Sequence, residues 1–183
     1  MPTPDIFACG LETGDLTEID DTNGSPAVSS SKAHCGIYSG YCNATDEELI
    51  DDFTFPASDE VYVRAYMYWT TLPPSHDDTS GGLQLWGNTD STIICQVKIY
   101  NWSGNMWLGL ERWYGGGWDT YRFDYQLNTW YCWELYFKKH NSDGGYKFWL
   151  NGNLIINSMG RDTSSAPDPD AFRFGACASS YSP

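Results

Sequence analysis

The sequence is short of positive charge: 10 Lys and Arg stand against 24 Asp and Glu, giving a formal charge of −14 at pH 7. Such a chain repels polyanions and shows no basic stripe to offset the repulsion, so nucleic acid is not an expected partner. No apolar run approaches the length of a membrane span, which argues against membrane insertion. The six cysteines include no Cys-x-x-Cys pair, so neither a zinc ribbon nor a thiol redox motif is expected. Cys35 and Cys42 are spaced for a local bridge, but their opposite strand parity argues against one. Cys95 and Cys132 lie inside strand patterns, where a lone cysteine is commonly a small buried residue. Few or no disulfides are expected, and no stretch carries a helical period.

Aromatics are abundant instead. They make up 16% of the 183 residues, with 9 Trp and 13 Tyr beside 18 Gly. The length suits one domain over residues 1–183, and the many short turn signals favour an all-β sandwich. The clearest pattern runs from Trp130 to Lys138. At a period of two, Tyr131, Trp133, Leu135 and Phe137 share one face, while Trp130, Cys132, Glu134, Tyr136 and Lys138 share the other. Val61 to Trp69 alternates in the same way, with Tyr62, Arg64, Tyr66 and Tyr68 opposite Val63, Ala65 and Met67. Further strands are expected over Ile6–Leu11, Val28–Ser31, Ala33–Tyr41, Leu83–Trp86, Thr92–Tyr100, Met106–Trp113, Tyr121–Gln126, Tyr146–Leu150, Leu154–Asn157 and Phe172–Ala176. Residues 20–26 read as a turn-rich loop, 45–52 as one helical turn or a strand entry, and Asn151-Gly152 as a tight hairpin turn.

Several of these stretches, taken in order, resemble the concanavalin A-like (laminin-G-like) jelly-roll superfamily. Glu12-Thr-Gly-Asp-Leu16 is similar to its opening motif, and Ala33-His-Cys-Gly-Ile-Tyr38 to the strand that follows. Tyr62-Val-Arg-Ala-Tyr66, the Trp130–Leu135 stretch, Phe148-Trp-Leu-Asn-Gly152 and Phe174-Gly-Ala176 resemble later strands. The resemblance implies two antiparallel sheets packed face to face, carbohydrate binding in many relatives, and a structural Ca2+ ion at Glu12 and Asp15. Relatives usually close with a strand carrying Asp-Asp. Nothing after Tyr181 supplies it, so the domain is expected to lack that last strand and to leave an edge that another chain covers. The tight Glu-x-Asp-x-Glu strand of laminarinase-like members is absent, and none of the three histidines sits in a lyase motif.

If Val61–Trp69 pairs with Trp130–Lys138, then Tyr62, Arg64, Tyr66, Tyr68, Glu134 and Tyr136 share one face, and Arg64 and Glu134 form a cross-strand ion pair. That face is either a sugar-stacking surface or a structural ion pair under tyrosines. A second candidate set is Trp102, Trp107, Trp113, Tyr114, Trp118 and Tyr121 around Gly115–Gly117, either an external contact loop or a hairpin packing on itself. Glu12, Asp15, Asp20, Asp21 and Asn23 are oxygen donors for a hard cation or, more cheaply, turn formers. The leading expectation is a non-catalytic carbohydrate-binding, lectin-like module for a polysaccharide or surface glycan. The alternative is a structural virion or filament surface protein, with homo-oligomeric or neighbouring virion subunits as partners; Met1 followed by no leader pattern suits it. A polysaccharide lyase or glycoside hydrolase is the third reading. The expected setting is extracellular, or on a virion or cell surface.

Overall fold

The computed structural model describes residues 11–42, 48–52, 59–70, 79–88, 91–102 and 105–175, with 79–81 described by backbone alone. Among these residues there are thirteen strands and no helix. They are β1 (Asp21–Asn23), β2 (Ala27–Ser29), β3 (Ser39–Tyr41), β4 (Glu48–Asp52), β5 (Glu60–Tyr68), β6 (Thr79–Gly87) and β7 (Thr92–Trp102). After them come β8 (Asn105–Arg112), β9 (Trp118–Arg122), β10 (Trp130–Lys138), β11 (Gly144–Leu150), β12 (Asn153–Arg161) and β13 (Pro169–Gly175).

A seven-stranded antiparallel sheet has the order β1-β4-β13-β6-β7-β8-β9, and a four-stranded sheet has the order β12-β11-β10-β5. A two-stranded ribbon, β2-β3, forms a separate sheet and packs through Val28 and Gly40 near Leu49 of β4. The two larger sheets meet through one core. Val63, Tyr131, Trp133, Leu135, Phe137, Tyr146 and Phe148 from the four-stranded sheet pack with Leu83, Leu85, Val97, Ile99, Leu108, Leu110 and Phe172 from the other. Each such side chain contributes roughly 1.5–3 kcal/mol by leaving water, and the alternation forces the remaining residues of every strand outward. The arrangement is the expected concanavalin A-like, two-sheet jelly-roll β-sandwich.

The long alternating strands fall where their pattern predicts. β10 spans Trp130–Lys138, and its register with β5 sets Tyr62 opposite Tyr136, Arg64 opposite Glu134 and Tyr66 opposite Cys132. Residues 45–52 contribute a strand, β4, and the tight turn at Asn151-Gly152 joins β11 to β12 with both residues at positive φ.

Three expectations need correction. The loop at 20–26 contains a short edge strand, β1, because Asp21–Asn23 finds a partner in β4. The strand expected over Ala33–Tyr41 shrinks to Ser39–Tyr41: at Gly36 the chain takes a φ of +75°, and the Glu12 side chain fills the space a Cβ would need there. The strand expected at Tyr121–Gln126 instead occupies Trp118–Arg122, since Gly115, Gly116 and Gly117 all hold positive φ and reverse the chain in time for Trp118 to pair with Glu111. The four described cysteines, Cys35, Cys42, Cys95 and Cys132, form no disulfide. The start of the expected first strand, His76 and everything after Gly175 lie outside the described residues.

Candidate functional site

The registers place an unexpected set of polar side chains on the outer face of the seven-stranded sheet. Arg173, Gln84, Gln96, Glu111 and Trp118 form one cross-strand row over β13, β6, β7, β8 and β9. The Trp86 indole N–H donates to Gln84 Oε1 at 2.9 Å, and Gln84 Nε2 donates to Gln96 Oε1 at 2.9 Å. Gln96 Nε2 then donates to Glu111 Oε2, while Lys98 Nζ lies 3.0 Å from Glu111 Oε1. At the other end the Arg173 guanidinium stacks 4.0 Å over the Trp86 ring and donates to Glu48 at 2.9 Å. Gln84, Gln96, Lys98 and Glu48 are all buried, although they stand on an outer face. A buried polar group is costly unless paired, and these are paired with one another.

Next to this row is a patch of indoles. Lys98 sits between two glycines in register, Gly82 on β6 and Gly109 on β8. A Cβ on Gly109 would come within 2.7 Å of the Trp118 ring and 3.0 Å of the Tyr100 ring, so glycine is what lets Trp118 lie down over the sheet. Trp118 thereby reaches the Lys98 ammonium, 5.1 Å from its ring, and packs edge-on to Tyr100 at 5.5 Å. Tyr100 stacks with Trp107 at 6.5 Å, and Trp107 meets Trp102 at 6.4 Å. Trp118 and Trp102 remain 40% and 54% exposed. The Tyr100 hydroxyl is buried beside Trp118 and Thr120 without a hydrogen bond of normal geometry, and burial raises its pKa. Arg122 on β9 donates to Asn105 at 2.5 Å and closes the far end.

Of the second candidate set, then, the structure brings together Trp102, Trp107 and Trp118, while Tyr121 stands opposite Leu108 with the other parity of β9. Trp113 is exposed but makes no ring contact with them among the described residues; β8 has ended at Arg112, and its N–H continues the ladder to Ile94 O at 3.2 Å. Tyr114 packs against the core, and its carbonyl accepts a hydrogen bond from Tyr146 at 2.8 Å. Gln84, Gln96, Lys98, Tyr100, Glu111, Trp86, Arg173 and Glu48 were missed. The one available signal was the alternation of Gln96, Lys98 and Tyr100 with Cys95, Val97 and Ile99.

The first candidate set comes together as expected, on the outer face of the four-stranded sheet. Glu134 Oε1 accepts from Arg64 Nε at 3.0 Å and from Arg64 Nη2 at 2.6 Å. Tyr62 and Tyr136 rings lie 4.5 Å apart, with Lys147 over Tyr136 and Trp149 6.4 Å from Tyr62. Tyr66 is stacked against His34 at 3.7 Å, and Tyr68 lies 5.2 Å from Trp130. The two candidate sets therefore occupy opposite outer surfaces of the sandwich.

Of Glu12 and Asp15, the implied calcium ligands, Asp15 is engaged within its own turn. Asp15 Oδ1 accepts from the Thr13 hydroxyl at 2.9 Å and from the Thr17 N–H and hydroxyl at 3.0 and 2.5 Å; the Thr17 hydroxyl bond is the largest influence holding its pKa low. No group of three or more His, Cys, Asp or Glu is arranged for a metal among those residues.

No family model and no curated protein sequence matches the chain. Solved structures match its fold. An endo-β-1,4-glucuronan lyase from the fungus Trichoderma reesei superposes with a TM-score of 0.59 at 16% identity, over 89% of this chain and 81% of that one. An alginate lyase in complex with alginate trisaccharide gives 0.51 at 15% identity, over 73% of this chain and 66% of that one. Domain 4 of an arabinanase from Geobacillus stearothermophilus, bound to arabinotriose, gives 0.49 at 12% identity, over 93% and 91%. The chain has the concanavalin A-like jelly-roll fold, and at these identities the likeness is one of fold.

Proposed function

We propose that this chain is a non-catalytic carbohydrate-binding protein that takes a neutral glycan along Trp118, Tyr100, Trp107 and Trp102, in an extracellular or surface setting. The observation that carries the reading is the indole of Trp118, set against Gly109 and 40% exposed at the edge of a buried polar row. Aromatic faces stack on the C–H faces of pyranose rings, and polar groups beside them fix the hydroxyls. Charge chooses the glycan class. Lys98 is paired with Glu111 and Arg173 with Glu48, so the floor is balanced, within a chain of net charge −14. Apart from Arg122, which is hydrogen-bonded to Asn105 at the far end, a polyuronate finds the cations here already beside carboxylates, in a chain whose net charge repels it.

Affinity electrophoresis tests this with neutral β-glucan, xylan and mannan gels beside alginate and polyglucuronate gels. Retardation in at least one neutral gel, weakened about tenfold by Trp118→Ala, is the expected result. Retardation by the uronates alone contradicts the charge argument.

A second reading, a lyase acting on uronates, is favoured by one observation: the Tyr100 hydroxyl lacks a partner two residues from Lys98 on the same face. The two fold neighbours with the higher TM-scores are named as lyases of such polymers. Beta-elimination needs a group to neutralise the uronate carboxylate and a base for the adjacent C–H. Here Lys98 and Arg173 are engaged by carboxylates, Arg122 by Asn105, and Gln84 and Gln96 by the row. No unsaturated uronate is expected on incubation with alginate or glucuronan; its ultraviolet absorbance, lost in Tyr100→Phe, would establish the lyase.

Calcium at Glu12 and Asp15, which the family resemblance implies, has its own test. Because the donors of Thr13 and Thr17 converge on Asp15 Oδ1 and no third acidic ligand joins Glu12 and Asp15 among the described residues, the melting temperature should be the same in calcium and in EDTA. A rise with calcium would place the ion.

A further inference from the structure

The outer face of the four-stranded sheet repeats the same chemistry with different residues. Two cross-strand rows cross it side by side: Arg64, Glu134, Trp149 and Leu154, then Tyr62, Tyr136, Lys147 and Asn157. Tyr62 is 44% exposed and tilts 35° to Trp149, which makes a shallow aromatic floor beside the Arg64–Glu134 pair. One end of this face already has an occupant. The His34 imidazole, from the segment between β2 and β3, lies on Tyr66 at 3.7 Å and 17°, with its edge toward Trp130. A flat ring at van der Waals distance shows what these tyrosines accept. At the Tyr62–Trp149 end no described residue covers the floor in this way.

We infer that the Tyr62–Trp149 end of this face is a second glycan-binding site, separate from the Trp118 site and on the opposite surface of the sandwich. Its ligand is a pyranose, ring face on Tyr62 and Trp149, with hydroxyls directed at the Arg64–Glu134 pair. Three features fit a neutral sugar better than an ion or a purely apolar segment. Tyr62 is open to solvent beside a half-buried Trp149, the ion pair offers donors and acceptors at one spot, and Lys147 is held over Tyr136. With sites on both surfaces, a single chain joins two glycan strands, and avidity rather than either site alone sets retention on a polymer. The ligand class rests on the reading of the Trp118 surface; the location does not.

The experiment is calorimetric titration with neutral hexasaccharides of the cello, xylo and manno series, on the monomer verified by light scattering. Two sites per chain are expected. Tyr62→Ala should lower this to one, Trp118→Ala should leave the other one, and the double variant should bind neither. Because Tyr62 is exposed, Tyr62→Ala should melt with the parent; Trp149→Leu serves as an independent second probe of the same end. One site that vanishes in Trp118→Ala and ignores Tyr62→Ala overturns this inference and leaves the first reading standing. Binding that survives Trp118→Ala and vanishes in Tyr62→Ala does the reverse. No binding to any hexasaccharide overturns both. A wild-type dimer that Tyr62→Ala returns to monomer assigns the face to a second copy of the chain and overturns it as a sugar site.

Discussion

Replacing Arg112 by alanine is expected to lower the melting temperature by about 10 °C, the largest effect of any single substitution considered for this chain. Arg112 is the last residue of β8 and shares the inward parity of Leu108 and Leu110, so its guanidinium points between the sheets. Its side chain is 3% exposed, and Nη1 contacts Asp119 of β9 at 2.5 Å and Ser158 of β12. Ser158 also accepts from Arg161 at 2.7 Å, and Arg161 donates to the Gly115 carbonyl at 3.2 Å. One cluster thus ties the edge of the seven-stranded sheet to the edge of the four-stranded sheet. It also pins the glycine turn, where a Cβ on Gly117 would lie 2.6 Å from Arg112. Burial pulls the guanidinium's pKa down and the Asp119 carboxylate pulls it back up, which marks a desolvated charge retained by its partner. Removing it empties a buried side chain's place and leaves Asp119, 34% exposed, without its partner, which costs about 3 kcal/mol, the low end for broken buried pairs. Arg112→Met, which keeps the stem, separates packing from charge. Near-parental melting of Arg112→Met would show that the stem alone matters.

The second large effect depends on pH. Asp51 lies on β4 with its side chain buried and one carboxylate oxygen, Oδ2, without a partner, close to Asp20 and Asp52. Burial first, then a hydrogen bond with Asp20 and the charges of Asp20 and Asp52, push its pKa up to about 7 from 3.8. The folded chain therefore holds a proton that the unfolded chain has released. The stabilisation is complete below the unfolded value, shrinks as the pH rises, and is lost once the pH has passed through about 7. Asp51→Asn fixes the neutral state. At about pH 8.5 it should gain on the order of 2 kcal/mol over the parent, after discounting the full shift for relaxation, and at about pH 3.5 it should gain nothing. Urea unfolding at both pH values measures the difference; an equal effect at the two would show that Asp51 does not titrate in the folded state.

How much of this was legible in the residues follows from the period-two signal. Trp130–Lys138 and Glu60–Tyr68 each bury one apolar face, so their faces, their pairing and the Arg64–Glu134 contact could be read before any coordinates. The seven-stranded site could not. Gln84, Gln96 and Glu111 lie far apart in sequence and look like the solvated side of three ordinary strands; only registers that bring them into one row show a hydrogen-bonded chain. Trp107 and Trp113 share a face only if the strand's parity runs on past Arg112, where the strand stops. Short pieces such as β1 and β3 carry too few residues for alternation to show, and their existence depends on what lies beside them.

The central claim is that sugar lies on the Trp118 surface, and a crystal soaked with a neutral oligosaccharide tests it most directly. The account predicts a pyranose ring parallel to the Trp118 indole, with neighbouring rings toward Trp107 and Trp102. Sugar that binds the chain in solution yet is seated away from Trp118, Tyr100 and Trp107 in the crystal would contradict it.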